Sequence, residues 1–202
     1  FVAKVNSDLI GKYINIASRT AGFISKKFDG HLASKDGIKD PRATELLNTV
    51  ISASQLIANC YEERDFGKAI REIMRLADLA NEYVNDKAPW VLTKQEGQEA
   101  ALQEACTVSL NLFRLLTLYL KPILPVLAKE VESFLNIAPL TWQDANTSLA
   151  AGHAIKDYKH LMTRIDPKQI DALVAANKES LAPTPQTSPA AQTHSPQRHA
   201  EH

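Results

Sequence analysis

Residues 98–120 read QEAALQEACTVSLNLFRLLTLYL, and within them Leu102, Cys106, Leu110, Phe113, Leu116 and Leu120 recur at steps of three and four. That is the period of one face of an α-helix. The positions between are apolar too, and a helix greasy on nearly every side belongs at the centre of a bundle. Such a helix must be covered by others, so the stretch predicts an all-α fold. Arg114, Lys121, Pro122 and Pro125 interrupt Leu110 to Ala128, so the most apolar run in the chain does not read as a membrane span.

Working toward the N-terminus, Phe66, Ala69, Ile70, Ile73, Leu76, Ala77, Ala80 and Val84 trace the same period from Asp65 onward. Pro89 ends that third helix, because a residue before proline avoids helical geometry. Asp40 and Pro41 are a cap and a first-turn proline, opening a second helix that is expected to run to about Tyr61. Before it lies a loop, Asp29 to Pro41, rich in helix breakers. In the first helix Leu9, Ile10, Tyr13, Ile14, Ile16, Ala21 and Ile24 share one arc, while Asp8, Gly11, Lys12, Asn15, Arg19, Gly22 and Lys26 lie opposite.

Toward the C-terminus, a fifth helix is expected over Val126 to Leu135, then a surface loop from Ala138 to Gly152 anchored by Trp142. A final helix starts at Asp166-Pro167 and ends near Ser180. Residues 181–202 hold prolines and histidines but no aromatic, a composition that reads as a disordered linker or tail. The expected organisation is a helical domain over 1–152, an extension with a helix over 153–180, and the tail over 181–202.

Composition narrows the function classes. Lys+Arg and Asp+Glu balance at 23 each, so no global field draws the chain to polyanions or membranes, and any nucleic-acid contact must be local. The seven glycines never fall at G-x-G spacing, and Gly11-Lys12 and Gly67-Lys68 lack the upstream glycine of a phosphate loop. Cys60 and Cys106 sit inside apolar periodic stretches and read as reduced core thiols. The six histidines show no metal-ligand spacing, and no nucleophile elbow is present. Nothing in these patterns supports catalysis by this chain alone. It opens on Phe1 and is expected to be part of a longer polypeptide.

Two features could carry recognition. Asn15 and Arg19, four apart, project side by side from one helical face. An amide and a guanidinium can match the edge of an unpaired base. Alternatively, the small-residue ridge Gly11/Asn15/Ser18/Gly22 marks a tight helix contact. Trp90, just past Pro89, offers either a stacking platform or a lid over the bundle.

The run Lys12-Tyr13-Ile14-Asn15-Ile16-Ala17-Ser18-Arg19, with Ala21-Gly22-Phe23-Ile24 and Phe28-Asp29-Gly30, resembles the first helix of the anticodon-binding domain of bacterial methionyl-tRNA synthetases. The likeness continues in order through Phe66-Gly67-Lys68-Ala69, Ala77-Asp78-Leu79-Ala80-Asn81, Ala88-Pro89-Trp90, Lys94-Gln95-Glu96-Gly97, Asn111-Leu112-Phe113-Arg114 and Tyr119-Leu120-Lys121-Pro122, and covers roughly 1–180. The resemblance implies recognition of the CAU anticodon of methionine tRNAs. Asn15 and Arg19 would read the wobble cytosine, Trp90 would stack on it, and Lys26 would touch phosphate or the second base.

The family's activating half, with its HIGH and KMSKS signatures, has no counterpart in these residues. The resemblance therefore implies a fragment without cofactors, inactive alone. Its parent would be a cytoplasmic class I ligase using ATP, Mg and a structural Zn in the missing half. The implied partners are the anticodon loop of tRNA(Met), the catalytic domain of the same polypeptide and an OB-fold dimerisation domain beyond the tail, with no membrane. The competing class is a helical protein-interaction module that uses the Gly11/Gly22 ridge without binding RNA.

Overall fold

The computed structural model describes residues 2–159 and 161, with the backbone alone for 2–7 and 35. Among the described residues there is no sheet, and the one extended pairing is an isolated bridge between His31 and Ala154. No helix there is long and apolar enough to cross a membrane.

Helix α7, Glu99–Leu120, is the centre that its sequence predicts. Every residue from 105 to 120 is buried, and the helix packs against α1 (Val2–Ser18), α2 (Ala21–Lys27), α3 (Pro41–Ser52), α5 (Phe66–Lys87), α6 (Pro89–Leu92) and α8 (Pro125–Leu135). Its buried polar side chains find partners inside the bundle, with Arg114 Nε the one α7 side-chain atom left without among the described residues. Thr117 Oγ1 donates to Phe113 O at 2.7 Å and shares a hydrogen bond with the Tyr13 hydroxyl. Tyr13 also stacks on Phe113 with ring centroids 4.5 Å apart, pinning α1 to α7. Arg114, 3% exposed, donates through both terminal nitrogens to Asp144 O at 3.0 Å and so fixes the loop after α8.

Two expected helices are each two. The first breaks after Ser18, where neither proline nor glycine stands. Thr20 Oγ1 donates to Ile16 O at 2.7 Å, and its own N–H turns to Ala17 O instead of Ile16 O. Thr20 leaves helical geometry at φ −128° and α2 starts afresh. The second bends at Ala53 into α3 and α4 (Ser54–Glu62), following a similar back-bond from Ser52 Oγ to Asn48 O at 2.7 Å. The cap of α3 is as expected: Asp40 Oδ1 accepts from Arg42 N at 3.0 Å, with Pro41 at the first helical position.

Asp65 likewise caps α5, accepting from Lys68 N at 3.2 Å. Trp142 anchors its loop as expected, donating from Nε1 to Ser54 O at 3.2 Å. The turn after α2 needs Gly30, at φ +80°, because a Cβ there would meet Ile155 O at 3.0 Å. Close approach lets Ile155 N donate to Gly30 O and Leu32 N to His153 O, both at 2.9 Å. Cys60 and Cys106 are buried and unpaired, and burial pushes the Cys106 thiol up to about 12. The expected helix from Asp166 and the tail from 181 lie outside the described residues.

Candidate nucleic-acid interface

Three elements converge where the helical cores end. The last turn of α1 carries Asn15, and the residue that follows the helix is Arg19. The last two turns of α5 bring Asn81 and Asn85, four apart and hence on one line of the helix. A sharp joint then turns the chain into α6. Ala88 caps α5 in the left-handed region at φ +46°, and Pro89 starts the four-residue α6 that holds Trp90. The joint is why Trp90 does not continue along α5 into the core: the residue is 39% exposed, with Val91 beside it 45% exposed. The lid reading of Trp90 is therefore not what the fold adopts.

The side chains meet at Arg19. Its Cζ lies over the Trp90 ring, 5.6 Å from the centroid, within cation–π range. One terminal nitrogen donates to Asn81 Oδ1 at 2.7 Å and to Asn81 O at 3.3 Å, and the other donates to Asn85 Oδ1. Asn15 Nδ2 reaches Asn81 Oδ1 at 3.4 Å, and Ser18 Oγ donates to Asn15 O at 3.1 Å. Partial burial lowers the Arg19 pKa from its ordinary value, yet a guanidinium starts so high that it stays charged. Lys12 and Asp78 form an ion pair at 2.8 Å between the same two helices. The result is a half-buried cation and an exposed amide, flanked by an exposed aromatic face.

The sequence-predicted trio Asn15, Arg19 and Trp90 is thus brought together. Lys26 is not. It was placed on the α1 face by a wheel running unbroken through residue 26, but the break at Thr20 puts it on α2, exposed and joined to none of the trio by a hydrogen bond or ion pair. The glycine ridge also differs from the tight-contact reading: a Cβ at Gly11 or Gly22 would meet nothing within 4 Å, so neither glycine is required by a close approach, and the ridge meets α5 through Asn15. Sequence reasoning missed Asn81 and Asn85. The available signal was the line Ala77, Asn81, Asn85 at steps of four, where an apolar stripe runs into two amides. Among the described residues no group of three or more His, Cys, Asp or Glu side chains gathers as metal ligands would.

Comparison with known proteins bears on this cluster. Residues 34–177 match the family model described as the anticodon binding domain of methionyl tRNA ligase. That stretch includes Asn81, Asn85 and Trp90 and begins after Asn15 and Arg19. Curated relatives extend the likeness over them: the chain is 60% identical over 186 residues to a methionine–tRNA ligase of Azoarcus sp. strain BH72, 92% of this chain and 25% of the relative. It is also 60% identical over 201 residues to that of Aromatoleum aromaticum, 99% of this chain and 27% of the relative. The chain thus spans about a quarter of the length of these relatives. Among solved structures, the free-state Mycobacterium tuberculosis methionyl-tRNA synthetase superposes with a TM-score of 0.73 at 24% identity, covering 82% of this chain and 34% of that one. The fold is shared at that distance. With its central helix, its capped joints and a family match across most of its length, the chain belongs to the family of anticodon-binding domains of methionyl-tRNA ligases.

Proposed function

We propose that this chain is the part of a methionine–tRNA ligase that recognises the CAU anticodon of methionine tRNAs, with Asn15, Arg19 and Trp90 meeting the wobble cytosine. The observation that carries the reading is the cluster itself: a charged guanidinium and an exposed amide held beside an exposed indole, in a domain of this family. Trp90 supplies a π-face to an unstacked base. Arg19 can only donate hydrogen bonds. Cytosine N3 accepts one, whereas uracil N3 carries a hydrogen of its own and would oppose it. Asn15 can accept from the cytosine amino group, a donor that uracil lacks. Lys26, on its separate helix, would touch phosphate or the second base.

The rest of the reading concerns the longer polypeptide. The parent would be a cytoplasmic ligase whose other half binds ATP and Mg and carries a structural Zn. Residues 153–180 would lead back to that half, and 181–202 would link to an OB-fold dimerisation domain. This chain by itself should then give no methionine-dependent pyrophosphate exchange. Exchange that survives removal of contaminating synthetase would contradict the division of labour. The test of recognition is a titration of the chain with anticodon stem-loops, read by tryptophan fluorescence: a CAU loop should shift the signal at concentrations where a UAU loop does not.

A further inference from the structure

Two of the three residues, Asn15 and Arg19, are held from behind by one side chain, Asn81, whose hydrogen bonds leave it a single orientation. Asn81 Nδ2 donates to Lys12 O on α1 at 2.9 Å and to Ala77 O in its own helix at 3.1 Å. Both amide hydrogens are thereby used on carbonyl oxygens. A flipped amide would set its oxygen against those two oxygens, so the pair of acceptors dictates the assignment. Oδ1 must point the other way, and there it accepts from Arg19 and Asn15. Lys12, Asn15 and Arg19 stand at i, i+3 and i+7 of one sequence face, so a single amide grips that face by backbone at one end and by both candidate reading side chains at the other.

The chemistry of an amide suits this task. Asn81 and Asn85 accept from Arg19 without neutralising it, so the guanidinium keeps its full charge while losing its freedom to swing. A carboxylate in the same place would form an ion pair and compete with any incoming base or phosphate. Arg19 is not saturated either: Nη1 carries two hydrogens and gives one to Asn85 Oδ1. Holding a long side chain in one rotamer before binding removes an ordering cost from association.

We propose that Asn81 is the positioning residue of this interface, acting through Arg19 and Asn15 to set which of their polar atoms face the wobble base. The proposal rests on the anticodon reading above. It is tested in the full-length polypeptide by kcat/KM for aminoacylation of tRNA(Met) transcripts carrying CAU or UAU, with four variants: Asn81→Ala, Arg19→Ala, Asn15→Ala and Asn81→Ala combined with Arg19→Ala. Asn81→Ala should reduce the preference for C over U by about tenfold, within the range for one base-edge contact. In the Arg19→Ala background the same change should alter the preference by no more than about threefold, because only the part that acts through Asn15 remains. A purely structural role would instead lower both substrates alike and add to Arg19→Ala in full, and either result overturns the proposal. If Arg19→Ala and Asn15→Ala both leave the preference intact, the anticodon reading itself fails and the proposal falls with it. If they abolish it while Asn81→Ala leaves it unchanged, only the positioning role fails. Should thermal unfolding show Asn81→Ala to be misfolded, Asn81→Asp takes its place; it keeps the shape and the acceptor, loses both donors and pairs with Arg19, and is held to the same tenfold loss and the same overturning result.

Discussion

At the scale of single residues, stacking and edge reading should fail differently. Trp90→Ala should weaken binding of an anticodon loop by about 1–3 kcal/mol, the range for losing one base–aromatic stack, and by similar amounts for cytosine and uracil, since both offer a π-face. Equilibrium titration with both loops checks this; a loss confined to cytosine would contradict it. Arg19→Ala should narrow the preference and, to the extent that the guanidinium also meets a phosphate, flatten the salt dependence of binding by about one unit of slope per contact. Asn15→Ala should narrow the preference with the slope unchanged. The pairing of Asn15 with Arg19 was legible from spacing alone, four positions apart on one helical face. The role of Asn81 was not, because its meaning lies in Lys12 O and in Arg19, over sixty positions away in sequence, and no periodicity within α5 reports a hydrogen bond to another helix.

At the scale of elements, the joint between α5 and α6 decides where Trp90 goes. Ala88 sits in left-handed geometry at φ +46° without being glycine, a conformation that costs an L-residue roughly 1–2 kcal/mol. Ala88→Gly should therefore be tolerated, whereas Ala88→Val should lower stability by about 1–2 kcal/mol relative to Gly and shift the Trp90 emission as the joint distorts. Chemical denaturation of the two variants measures the difference; equal midpoints would contradict it. Elements set by apolar period or by proline were readable in the sequence: α5, α7 and α8 fall within a residue or two of their expected limits. The breaks at Thr20 and Ala53 were not, since neither position is a glycine or proline and the hydroxyl back-bonds beside them also occur inside unbroken helices, as at Thr117 in α7. That is why the wheel carried Lys26 on with α1, whereas it stands on α2.

At the scale of the whole molecule, the buried titratable groups predict an alkaline limit. Burial raises the Cys106 thiol from 9.0 to about 12 and the Tyr119 hydroxyl from 10.0 to about 12, and raises Tyr13, Tyr61 and Tyr83 as well. Each is charged only when deprotonated, and each holds its proton more tightly folded than unfolded. Their contribution is complete below the unfolded values near 9 to 10 and is lost as pH rises toward 12, at up to about 1.4 kcal/mol per pH unit for each group. Melting temperature should be flat from pH 7 to 8.5 and fall steeply above 9.5, and Cys106→Ala should make the fall shallower. The central claim, however, is that this bundle reads a cytosine. Its most direct measurement is the tryptophan-fluorescence titration of the chain at fixed salt with two anticodon stem-loops that differ only at the wobble base. The account predicts that the CAU loop binds at least tenfold more tightly than the UAU loop and that Arg19→Ala removes most of that difference. Equal affinities for the two loops, with the protein folded, would contradict it.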